Sequence, residues 1–127
     1  MNIPSELKYT KEHEWIKCNG NEALVGITDY AQSELGDIVF IEIDTVGNEI
    51  DKEQSFGTIE AVKTVSDVFM PVSGKIIEKN PKIEETPEIV NKDPYGEGWL
   101  VRIIIKDNSQ LNDLLSAEAY KKHIGEE

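Results

Sequence analysis

One cysteine, Cys18, stands in a chain of 127 residues, so no intramolecular disulfide can form. The two histidines, His13 and His123, lie far apart in sequence, and no Cys/His cluster offers metal-ligand spacing. A reducing compartment fits this composition. Basic residues are also scarce: 13 Lys and Arg stand against 25 Asp and Glu, for a net charge of -12. Such a surface repels phosphate backbones and acidic lipid, which argues against nucleic-acid and membrane partners. Long apolar runs are missing too. The most apolar stretch, Leu100 to Ile105, is interrupted by Arg102 and is far too short to span a bilayer. The start, Met1 to Glu6, has neither the charged-then-apolar pattern of an export signal nor the Arg-rich character of a transit peptide. The expectation is a cytoplasmic protein, or a matrix protein if the chain is a processed mitochondrial one. No linker or low-complexity segment divides the chain. One domain over residues 1–127 is expected, with its core over about 9–106 and a helical segment over about 109–124.

Short strand-like runs separated by Gly, Pro and Asn dominate what is present. Two runs from Glu14 to Ile27 flank Asn19-Gly20, a pair suited to a type I′ hairpin turn. Cys18 then ends a strand, with no neighbouring cation to activate its thiol. Thr28 is placed to cap a short helix through Leu35, which Gly36 can end. Asp37 to Ile43 reads as a buried strand, and Ser55 to Val62, Val65 to Met70, Val72 to Glu78 and Trp99 to Ile105 as four more. Thr86-Pro87 resembles a helix cap followed by proline at the first helical position. Leu111, Leu114, Leu115, Ala119 and Tyr120 recur at helical spacing near the end. The fold class is mainly β, a sandwich or barrel with minor helices.

Lys63 is a lone cation between two strand-like runs, flanked by Val62 and Val65, which would ordinarily be buried. An exposed turn lysine is most often a solubilising charge. A Schiff-base role is disfavoured, because nearby Glu60 and Asp67 would hold the amine in its charged form. A lysine acylated by another enzyme has the opposite need: it must project from a rigid turn where a second active site can reach it. A hairpin tip provides that.

Glu60-Ala61-Val62-Lys63, followed by Ser66-Asp67 and Pro71-Val72-Ser73-Gly74, closely resembles the lipoyl-lysine segment of glycine cleavage system H proteins. So do Tyr9 to Trp15, Val25 to Gln32, Leu35 to Phe40 and Asn91 to Trp99, which together cover nearly the whole chain. The resemblance implies a lipoyl-domain-like β-sandwich, a barrel-sandwich hybrid of two antiparallel sheets, in a non-catalytic monomeric carrier. It implies lipoic acid joined covalently to Lys63 and Glu60 as the acid recognised by a lipoate ligase or octanoyltransferase. The implied partners are the P protein (a pyridoxal-phosphate glycine decarboxylase), the T protein (an aminomethyltransferase) and the L protein (dihydrolipoyl dehydrogenase). Glu14 and Asp67, with Glu12 as a third candidate, match positions near a groove for the loaded arm. Ala61 and Thr64 depart from the Ser and Ala common beside the family's lysine.

Blander roles compete at each position: a solvated strand-start charge for Glu14, a turn residue for Asp67, a structural histidine for His13 and a core indole for Trp15. At the level of function, a lipoyl or biotinyl module of another multienzyme complex would share the tip lysine. It would usually adjoin Pro- and Ala-rich linkers, and a biotin acceptor would carry Met on both sides of the lysine. A relay of lipoyl groups to other complexes is compatible with the carrier reading.

Overall fold

The structure is a computed structural model that describes residues 1–125; Glu126 and Glu127, the end of the expected domain span, lie outside the described residues. Among the described residues nine strands form two antiparallel sheets. The larger contains β1 (Lys8–Tyr9), β2 (Glu14–Asn19), β3 (Glu22–Ile27), β9 (Val101–Ile105), β8 (Gly74–Lys79) and β5 (Glu49–Ile50), paired in that spatial order. The smaller contains β4 (Ile38–Glu42), β6 (Ser55–Ala61) and β7 (Val65–Phe69). The expected mainly-β sandwich of two antiparallel sheets is what these strands build.

The alternation of β-branched residues explains the layering. Ile16, Val25, Ile76 and Ile103 of the larger sheet and Ile41, Ile59 and Val68 of the smaller share one buried core. Each such side chain contributes about 1.5–3 kcal/mol when removed from water. On the opposite face of the larger sheet a second cluster holds Ile3, Leu7, Tyr9, Trp15, Ala117 and Tyr120. There the ring of Tyr120, carried by α4 (Ala117–His123), stacks on Tyr9 with centroids 4.8 Å apart. The C-terminal helical expectation holds as a 3₁₀ segment, Asn108–Asp113, followed by α4.

Four expectations about local structure need correction. The β2–β3 turn is centred on Gly20-Asn21, since Asn19 still pairs with Glu22. Gly20 has φ +66 while Asn21 is not left-handed, the pattern of a type II′ turn, which demands glycine at its first central position. β4 is only half buried: Val39 and Phe40 are exposed around a bulge between Ile38 and Phe40. Thr86 caps the C-terminus of α2 (Lys82–Glu85), and α3 (Ile89–Lys92) starts after Glu88 without a side-chain cap. Val62 and Val65 are 76% and 63% exposed, because the hairpin carries them past the end of the core.

Helix α1 (Asp29–Leu35) follows the expected design: the Thr28 hydroxyl accepts from the Ala31 N–H at 3.1 Å, and Gly36 ends it at φ 78, ψ -154. Asn91 fixes this end of the helix. Its amide donates to the Gly36 carbonyl (2.8 Å) and to Gln32 (3.0 Å), and its oxygen accepts from the Ile38 N–H (3.0 Å). The segment beside the Lys63 tip is thereby held in place.

Candidate functional site

Lys63 lies in the connection between β6 and β7, where the register closes at Glu60 opposite Val65 and the Ala61 N–H donates to the Thr64 carbonyl at 2.7 Å. The Val62 N–H donates to the Asp37 carbonyl at 3.0 Å, so the tip is braced from a second side. The side chain is exposed, and its stem runs past Gly36, where an added Cβ would sit 3.5 Å from Lys63 Cε. Among the described residues no carboxylate forms an ion pair with its ammonium. The result is a rigidly mounted, freely accessible amine.

Glu14 is the opposite case. It opens β2 on the same face as Ile16, opposite Ile27, so the pleat turns its carboxylate inward to the core between the sheets. It is 2% exposed. One oxygen accepts from the Thr10 hydroxyl at 2.5 Å and the other from the Phe69 N–H at 3.2 Å, which ties the larger sheet to β7 of the smaller. Burial dominates the electrostatics and pushes the carboxyl up to about 7, although both hydrogen bonds favour the charged form. The solvated-charge reading of Glu14 is therefore wrong for this fold.

Two cavities meet at Glu14. The smaller, about 140 Å³, lies between α1 and β7 and is lined by Ala31, Glu34, Leu35, Ser66, Asp67 and Val68, with Glu12, His13 and Glu14 along its inner wall. The larger, about 430 Å³, lies on the other side of the 12–14 segment against Tyr9, Thr10, Lys52, Phe69, Met70 and Leu115. Glu12 is exposed and lines both. Asp67 is an exposed mid-strand residue of β7, paired with Thr58 and accepting from Ser55 at 3.3 Å, and it is not the turn residue weighed above. Glu60 points outward on β6, apart from both cavities.

A sequence profile of the glycine cleavage H-protein family matches residues 7–127. The glycine cleavage system H protein of Bacteroides thetaiotaomicron is 60% identical over 121 residues, covering 95% of this chain and 96% of that protein. The chain belongs to the glycine cleavage H-protein family. The H protein of Staphylococcus haemolyticus is 56% identical over 126 residues, 99% of this chain and 100% of that one. The crystal structure of an H protein from Mycobacterium marinum superposes with a TM-score of 0.84 at 36% identity, covering 97% of this chain and 99% of that chain.

As a glycine cleavage H-protein, the chain is a non-catalytic lipoyl carrier whose family works with the P, T and L proteins. No helix among the described residues is long and apolar enough to cross a membrane. The residues present suit a lipoyl group: an unpaired amine on a stiff tip, with a sheltered carboxylate that β2 brings against the far end of β7. In this H-protein, His13 and Trp15 take the structural roles weighed for them. His13, at φ 75, bonds through Nδ1 to the Tyr120 hydroxyl (2.9 Å), and the buried Trp15 indole donates to the Pro94 carbonyl (3.0 Å).

Thr10 and Phe69 were missed as partners of Glu14, and Tyr120 as the link from His13 to Thr28, whose hydroxyl lies 2.7 Å from that of Tyr120. Thr10 carries a faint signal in sequence, a hydroxyl four residues before the acid. The others reach the site only through tertiary packing.

Proposed function

We propose that Lys63 is the residue acylated by lipoate, and that this chain carries the aminomethyl group of glycine from the P protein to the T protein before the L protein reoxidises the arm. When bound, the lipoyl group supplies a dithiolane whose sulfur holds the one-carbon unit. The observation that carries this reading is the pairing of the unpartnered tip amine with the smaller cavity, whose Asp67 side lies at arm's length and whose inner wall holds the buried Glu14 carboxylate. A lipoyl-lysine side chain spans roughly 14 Å from Cα to ring. Asp67, four residues along the strand, is about 13 Å away, whereas Phe69 in the far cavity is roughly 20 Å away. The smaller cavity is therefore the one within reach, although the other is larger.

There the chain's own groups do three things. Ile27, Leu35, Ile59 and Val68 form apolar walls that exclude water from a labile adduct. Glu14 accepts a hydrogen bond from the cargo's ammonium. A cation at that point favours the carboxylate, so loading expels the proton that burial otherwise retains. Asp67 and, more loosely, Glu12 hold the exposed rim. Glu60 serves recognition by the lipoate ligase or octanoyltransferase. In the same reading the protein is a monomer, and its bacterial relatives favour the cytoplasm over a mitochondrial matrix.

Coexpression with a lipoylating enzyme tests the assignment. Intact mass should rise by one lipoyl group, peptide mapping should place it on Lys63, and Lys63→Arg should stay unmodified. A lipoyl group found on any other lysine would refute it.

A further inference from the structure

Among the described residues seven large apolar side chains are left exposed, and four of them, Val39, Phe40, Val62 and Val65, lie around Lys63. The ladder shows why they form one surface. Phe40, Glu60 and Val65 are direct cross-strand partners, so they form one row on the outer face of the smaller sheet, immediately below the tip. The next row on that face is Glu42, Thr58 and Asp67. Glu60 lies between Phe40 and Val65 in the row, and Asp37, Glu42 and Asp67 lie around it; all four acids are exposed, and β4, β6 and β7 contain no Lys or Arg. Large apolar side chains clustered on one exposed face among charges of a single sign mark a site of association.

Which partner covers it follows from where each reaction occurs. Enzymes that act on the dithiolane work roughly 14 Å from the Lys63 backbone. Acylation alone occurs at Nζ itself. In that step the deprotonated lysine amine attacks the carbonyl of an activated acyl group, an acyl-adenylate or acyl thioester. The C–N bond forms, the C–O or C–S bond breaks, the nucleotide or thiol departs, and the amine proton passes to a base of the enzyme. A catalytic surface that close to Nζ must lie over Val62, Val65 and Phe40.

We propose that the Phe40–Glu60–Val65 row, with Val39 and Val62 above it, is the docking surface for the enzyme that acylates Lys63, which meets it with an apolar socket edged by basic side chains. This rests on Lys63 being the acylated residue. Glu60 then acts as one member of a surface, in register with two apolar neighbours.

The test uses the full-length unmodified protein and a lipoate–protein ligase supplied with lipoate and ATP. Phe40→Thr and Val65→Thr keep strand-compatible residues while removing apolar surface; Val46→Thr alters another exposed valine, away from the tip. The Phe40→Thr/Val65→Thr double variant should bind the ligase about tenfold or more weakly. Its kcat/KM for acylation should fall to match, through KM, with an unchanged melting temperature, while Val46→Thr stays within twofold of the parent. Lys63→Ala should bind nearly as well as the parent, because the surface is intact. Binding of a folded double variant within twofold of the parent would overturn the proposal. Acylation of Lys63→Ala would instead overturn the assignment of the lysine, and leaves the binding measurement to judge the surface by itself.

Discussion

Replacing Glu14 by Gln should make the protein more stable at alkaline pH and change it little in acid. The folded state holds the Glu14 proton more tightly than the unfolded chain, with the carboxyl raised from an ordinary 4.5 to about 7 by burial. The linked stabilisation is fully present below about pH 4.5 and is lost as the pH rises through about 7. That interval corresponds to about 3 kcal/mol. Glutamine fills the same volume and can be bonded in place: its carbonyl accepts from the Phe69 N–H, and its amide donates to the Thr10 hydroxyl, which has a second lone pair beyond the one taken by the Glu14 N–H. Urea midpoints of both proteins from pH 4 to 8.5 give the difference directly. The two curves should nearly coincide at pH 4 and separate by about 2–3 kcal/mol in favour of Glu14→Gln above pH 8. His13, whose protonation burial disfavours, titrates with the opposite sign but is common to both proteins and drops out of the difference. Parallel curves across the whole range would refute the view that burial raises the Glu14 carboxyl in the folded state.

Two further substitutions test the supports of the site. Gly36→Ala should cost about 1–3 kcal/mol in thermal or urea unfolding, because φ 78 with ψ -154 is a backbone region open essentially to glycine alone; an unchanged melting curve would contradict the local geometry. Tyr120→Phe removes the hydroxyl shared by Thr28 and His13 and should cost about 1–3 kcal/mol. Hydrogen exchange should then quicken in α4 and at the N-terminus of α1, and a loss confined to α4 would show that the two ends are not coupled.

The sheets were legible because β-branched runs and Gly or Pro punctuation are local signals. The Thr28 cap and the Gly36 stop were equally local, and both hold. The turn was misplaced by one residue because Asn-Gly satisfies a type I′ turn in isolation, whereas the β2–β3 register puts glycine first. Val62 and Val65 misled for a different reason: hydrophobicity predicts burial, but these residues lie beyond the core, on a surface that another protein can cover. Glu14 shows the limit most clearly. In sequence its charge argued for solvent, whereas the β2 pairing turns it inward with Ile16; only the arrival of β7, with the Phe69 N–H, shows how an acid is accommodated there. The cavities have no sequence signature, since their walls join Glu14 to Phe69 and Tyr9 to Leu115 across the chain.

A buried acid held at a cost of about 3 kcal/mol above neutral pH makes sense only if something offsets it in use. A solvent-exposed carboxylate such as Asp67 or Glu12 would attract an ammonium group only weakly, because water screens the pair. Glu14 has already lost its water on folding, so much of the desolvation cost of an ion pair is met before the cargo arrives. The cation then recovers what burial cost, and the upper bound on that preference is about a hundredfold, the same ~3 kcal/mol expressed as an equilibrium constant. The corollary is directional. Cargo held at Glu14 should raise the stability of the folded protein most at pH 8, where the empty site is ionised and unpaired, and least near pH 5, where the carboxyl keeps its own proton and offers the ammonium little.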